Sequence, residues 1–182
     1  PPDKPRTAAS SHAGDVVHRQ VGAGVMAAVR AVARAGAATT FMTWIAGLGA
    51  VLARAGGQPE VVIGTPVSSR TPEVEGLFGF ITNTLALRVA VSRTAGFADV
   101  LAGVKERVVR AYAHADVPFE LVVTSLDLAR DLDRSPVFQV MLAHSDATLA
   151  EAARFSGLDL APMSIGTSTA KFELLLTVKE RV

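Results

Sequence analysis

From Thr39 to Val67 the chain reads TTFMTWIAGLGAVLARAGGQPEVVIGTPV, and a change of rhythm inside this stretch decides the fold. In its first half Phe41, Trp44, Ile45, Leu48, Val51 and Leu52 recur every three or four residues. That spacing puts apolar side chains on one buried face of a helix, the lone Trp44 in the core among them. Thr39 or Thr40 supplies the capping hydroxyl, and Gly56-Gly57 ends the helix. After Pro59 the period collapses. Val61, Val62 and Ile63 run consecutively, which suits a short strand covered on both faces.

The same alternation of periods continues outward in both directions. Val25 to Arg34 is Ala-rich and helical, with Arg30 and Arg34 spaced for one face. Val16 to Val21 reads as a short strand, and residues 1–15, rich in Pro, Ser and charge, as a linker. Thr84 to Val91 alternates, with Leu85, Leu87 and Val89 on one side. Phe97 to Tyr112 is a second amphipathic helix, with Phe97, Val100, Leu101, Val104 and Val108 on its apolar face. A short helix is expected after Pro118, then strands over Val137–Ala143, Asp159–Ile165 and Phe172–Val178. This order predicts an α/β fold, a two-layer sandwich with a mixed β-sheet and packed helices, over residues 16–182.

Composition narrows the function. The chain has 182 residues, 49% hydrophobic and 19% charged, a globular balance. Eighteen basic residues against seventeen acidic ones give a formal charge of +1. Such a chain has no strong field to gather nucleic acid or an anionic membrane. The uncharged run from Phe41 to Ala53 is shorter than the roughly 20 residues a membrane helix needs. No cysteine is present, so disulfides, thiolate metal sites and a cysteine nucleophile are excluded. A cytoplasmic protein is the expectation.

Few residues are placed for chemistry. The four histidines, His12, His18, His114 and His144, show no metal-ligand spacing. GTPVSSR lacks the lysine and glycine spacing of a phosphate loop, and no G-x-S-x-G elbow occurs. In HADVPFE, His114 and Asp116 read either as a base and its orienter or as a local turn. In the second reading Asp116 accepts backbone N–H bonds at a helix start, Pro118 sits in the first turn, and Glu120 faces the helix dipole. In RDLDRSP, Arg130 and Asp131 belong to a docking loop or a salt-bridged turn. Asn83 and Thr84 stand at a strand entry, where an amide satisfies a turn or meets a substrate.

Taken in order, IGTPVSSR (63–70), FGFITNTLALR (78–88), HADVPFE (114–120), RDLDRSPVFQVML (130–142) and TAKFELLL (169–176) resemble the condensation domain of nonribosomal peptide synthetases, over its C-terminal half. The departures are small: Thr82, Ala115 and Asp133 stand where the family usually has Val, Gln and Ser. The family's His-His-x-x-x-Asp-Gly signature is missing, and no two histidines are adjacent.

The resemblance implies one lobe of a chloramphenicol acetyltransferase-like fold, opened by an interlobe linker and incomplete at its C-terminal end. It implies peptide-bond formation between thioesters on the phosphopantetheine arms of donor and acceptor carrier proteins, in antibiotic and other secondary-metabolite synthesis. No cofactor is bound directly. The N-terminal lobe is the implied partner and supplies the catalytic histidine, so this chain is expected to be inactive alone, and the isolated lobe to self-associate. It would provide a tunnel wall and a carrier-docking surface. Asn83 is the first candidate for lining the tunnel, then Thr84 and Arg88. His114, Asp116, Pro118, Phe119, Glu120, Arg130 and Asp131 are structural motif residues. The alternatives are a non-catalytic carrier-docking module, or a free-standing acyltransferase using His114 and Asp116.

Overall fold

The computed structural model describes residues 11–79, 81–92, 94–128, 134–146, 166 and 168–180. Helices α1 (Ala23–Ala35) and α2 (Thr40–Gly56) precede strand β1 (Glu60–Ser68). A 3₁₀ turn (Pro72–Val74) leads to β2 (Thr82–Ala90). Helices α3 (Phe97–Tyr112) and α4 (Phe119–Ser125) follow, then β3 (Val140–Asp146) and β4 (Leu174–Glu180). The strands form one mixed sheet in the order β2-β1-β3-β4. β1 and β2 are antiparallel from Glu60↔Ala90 to Ser68↔Thr82, whereas β1–β3 and β3–β4 are parallel.

The register explains the expected alternation. Ile63 faces Leu87 and Thr65 faces Leu85 across the pair, so these residues share the helix-covered side. There they meet Ile45 and Ala46 of α2, Leu101 and Val104 of α3, and Leu142 of β3. Each fully buried Leu or Ile contributes roughly 1.5–3 kcal/mol. Close approach of α2 depends on Gly49: a Cβ there would lie 2.5 Å from Cγ1 of Val89. Both termini of α2 follow the sequence. The Thr39 hydroxyl accepts from the Met42 N–H at 3.2 Å, and Gly57 ends the helix at φ +64°. No single helix among the described residues is long and apolar enough to cross a membrane.

Four expectations need correction or narrowing. Val16–Val21 forms no strand, and Val16 and Val17 are exposed. The nearest pairing is an isolated antiparallel bridge between Ala13 and Thr169, and beyond it the Val16 N–H bonds the Asp15 carboxylate at 2.7 Å, a local alternative to a ladder. β3 begins at Val140 rather than Val137. Val137 turns the chain at φ +71°, with the Phe138 N–H donating to the Pro136 carbonyl at 2.8 Å, a γ-turn. That turn drives the Phe138 ring onto Gly64, where no Cβ would fit. Val51 and Phe97 lie outside the buried faces of their helices. Trp44, expected in the core, is only partly buried, with an indole N–H that has no partner among the described residues. The strand expected over Asp159–Ile165 and residues 1–10 of the linker lie outside the described residues.

Candidate functional site

Asn83 is the best-connected polar side chain at the entry to β2. Its register partner is Val67, so it points to the helix-covered side. The amide nitrogen donates to the carbonyls of Ala115 at 2.8 Å and Val117 at 2.7 Å. The amide oxygen accepts from the N–H of Thr84 at 2.8 Å and of Phe119 at 3.1 Å. Two donors and two acceptor positions are the full capacity of an asparagine amide. The amide expected to meet a substrate is therefore fully used by the chain itself.

The reason lies in the turn after α3. The chain leaves the helix through successive backbone turns, Ala115 N–H to Tyr112 and Val117 N–H to His114. Pro118 then occupies the N-cap position of α4 and has no side-chain oxygen to offer. The first free amide, Phe119, is capped from a strand 36 residues away. The capping role expected of Asp116 thus falls to Asn83. Asp116 is exposed, as is His114, and neither side chain has a hydrogen bond among the described residues. Glu120 falls in the first turn of α4, where its charge suits the dipole. The Phe119 ring packs 5.5 Å from Phe138, which lies 5.7 Å from Phe172. Arg130 and Asp131 lie outside the described residues.

Arg88 is not part of this knot. Its Nε and Nη2 donate to Glu60 at 3.0 and 2.9 Å, and its carbonyl accepts from Arg107 at 2.7 Å. Five residues of extended chain, about 17 Å, separate it from Asn83, so the two do not line one small site. Thr84 is half-buried on the face opposite Asn83.

A cleft of about 510 Å³ opens between the start of α2, the last turns of α3 and the ends of β1 and β3. Phe41, Val109 and Tyr112 make its apolar part, and Thr40, Thr65 and His144 its polar part. His144 Nε2 lies 3.0 Å from Glu180 Oε1, and Arg30 reaches Glu180 Oε2 at 3.3 Å. The His144 hydrogen bond, with help from Thr40 and Arg30, holds the Glu180 carboxyl below its ordinary range against the opposing effect of burial. His144 and Glu180 thus form a histidine–carboxylate pair, whereas His114 and Asp116 form none with each other. Sequence reasoning missed it because it needs the register: His144 pairs with Val178, which puts Glu180 two residues on along the same face. No group of three or more His, Cys, Asp and Glu able to hold a metal ion occurs among the described residues.

The segment between β1 and β2 folds around Arg70. Its guanidinium donates to the carbonyls of Val74, Glu75, Leu77 and Gly79 at 2.9–3.4 Å. At the tip Leu77 is largely exposed and Phe78 wholly so.

The profile of the Condensation domain family matches residues 1–182. A linear gramicidin synthase protein of Brevibacillus parabrevis is 40% identical over 183 residues, 99% of this chain and 2% of that protein. The malpinin synthetase of Mortierella alpina is 38% identical over 184 residues, 99% of this chain and 2% of that protein. Among solved structures, the complex of the X-domain and OxyB from teicoplanin biosynthesis contains a chain that superimposes with a TM-score of 0.86. Identity there is 28%, over 98% of this chain and 39% of that one. The chain thus spans a small fraction of the curated relatives it matches.

Proposed function

Because the chain belongs to the condensation-domain family, we propose that it is the C-terminal lobe of a nonribosomal peptide synthetase condensation domain. In this reading the complete domain joins aminoacyl and peptidyl thioesters carried on the phosphopantetheine arms of two carrier proteins. One observation carries it: the chain is matched from end to end, yet fills only 39% of a single structural relative. That proportion supports a lobe rather than a whole domain. A cytoplasmic location belongs to the same proposal.

The companion lobe would bring the histidine signature that this chain lacks. Tethering both substrates in one tunnel supplies much of the rate by proximity. This lobe contributes a wall, and Asn83 serves that wall by fixing residues 115–119 rather than by touching substrate. Thr84 lies beside it, while Arg88 acts through its clamp on Glu60. The exposed apolar side chains Val109, Tyr112 and Leu121 on α3 and α4 suit a carrier-docking surface. The tip at Leu77 and Phe78 suits contact with the companion lobe, and its exposure would favour self-association of the lobe alone.

The test is peptide-bond formation between carrier-bound thioesters. The chain alone should give no product; joined to a companion lobe bearing His-His-x-x-x-Asp-Gly it should give product. Product from the chain alone would sink the reading. A second reading, a docking module without chemistry, is favoured by the X-domain, whose structure was solved bound to OxyB. On that reading the joined lobes capture a partner protein but make no peptide.

A further inference from the structure

We propose that Arg70 is a positioning residue that holds the 71–79 loop in its final shape before any partner arrives, so that Leu77 and Phe78 form a preformed apolar tip. What the tip meets rests on the function proposed above; the preorganisation does not.

The loop's own bonds set the frame. The Ser69 N–H donates to Ile81 and closes the base, and Val74 and Leu77 donate to Thr71 and Val74. Within that frame the carbonyls of Val74, Glu75, Leu77 and Gly79 converge on one point. Converging carbonyl dipoles repel unless a cation sits among them. Nη1 of Arg70 meets three of them, the shortest at 2.9 Å to Leu77, and Nη2 meets Gly79 at 2.9 Å. Among the described residues no carboxylate lies within ion-pair distance of this guanidinium, and the four loop carbonyls are the acceptors that face its charge. A planar fork with five N–H groups can serve several acceptors at once; a lysine ammonium is compact and cannot span them. The payload is apolar: Leu77 and Phe78 stand out in water. Fixing such a tip in advance removes the ordering cost from the later contact.

Arg70 is exposed and outside the core, so its removal should loosen the loop without loosening the fold. Amide hydrogen exchange on the 182-residue chain reads this directly. In Arg70→Ala, protection of the hydrogen-bonded Val74 and Leu77 amides should fall about tenfold or more while that of Ile63 and Leu87 is unchanged. Arg70→Lys should recover only part of the loss, and millimolar guanidinium should restore part of it in the alanine variant. Unchanged protection at Val74 and Leu77 overturns the proposal, and so does loss spread through the whole sheet.

The second readout is turnover of the two-lobe domain. Arg70→Ala and Phe78→Ala should lower it by similar factors, and the double variant by no more than either alone, because both act through one contact. Multiplicative losses overturn the link between Arg70 and the tip. A two-lobe domain that makes no peptide with native residues counts against the proposed function, and the exchange result then decides the role of Arg70 by itself.

Discussion

The two ends of β2 are held by different physics. Along its length Leu85, Leu87 and Val89 are buried beneath α2 and α3, and the strand is fixed by removal of apolar surface from water. At its entry Asn83 fixes position with four hydrogen bonds, one to its neighbour Thr84 and three to residues 115–119. The first mechanism is non-directional and tolerates substitution by anything apolar of similar volume. The second is directional, uses one particular side chain, and shapes the polar end of the molecule where the turn of HADVPFE and the Arg70 loop lie.

The largest effect should come from the interior of β2. Leu87→Ala should cost about 2–5 kcal/mol, measured by denaturant unfolding, and a loss under about 1 kcal/mol would mean the sheet is not supported as described. Asn83→Ala should cost about 2–4 kcal/mol, from roughly 1 kcal/mol for each hydrogen bond lost. Asn83→Asp sharpens the contrast. It keeps the acceptor but sets a carboxylate against the carbonyls of Ala115 and Val117, so it should be no better than alanine. Asn83→Asp as stable as the native protein would show that the amide donors do not hold this turn.

A smaller and pH-dependent effect is expected at the cleft. The folded Glu180 carboxyl is held below its unfolded value by His144. A depressed carboxyl contributes stability that is fully present above the ordinary carboxylate range. That stability is lost as pH falls through the lowered folded value. Glu180→Gln should therefore flatten the acid limb of the stability profile and leave its slope above that range unchanged. An identical acid limb would contradict the pairing. The smallest effect is Arg88→Ala. Its pair with Glu60 is largely in solvent, so the loss should stay within about 1 kcal/mol and shrink with added salt.

The same division governs what can be read from the sequence. Leu85, Leu87 and Val89 announce a strand because period two is a consequence of strand geometry, and α3 falls within its expected bounds for the corresponding reason. Thr39 and Gly57 are legible because caps are local. Asn83 stands out for its chemistry, but its partners do not, since nothing near it in sequence shows that Ala115, Val117 and Phe119 will arrive. His144 and Glu180 are hidden for the same reason. His114 and Asp116 mislead in the opposite direction: nearness in sequence looks like a dyad, while the fold leaves both in water. Arg70 belongs to a legible motif, but its role depends on four carbonyls whose convergence no residue pattern encodes.

The proposed function divides the work, with this lobe positioning and its companion performing the chemistry. The most direct measurement is the rate of peptide-bond formation by the two-lobe domain carrying His114→Ala. A rate within about twofold of the native domain is expected, since a surface side chain with no described partner has little to contribute. A loss of about a hundredfold or more, with the fold intact, would place the chemistry in this lobe and contradict that division.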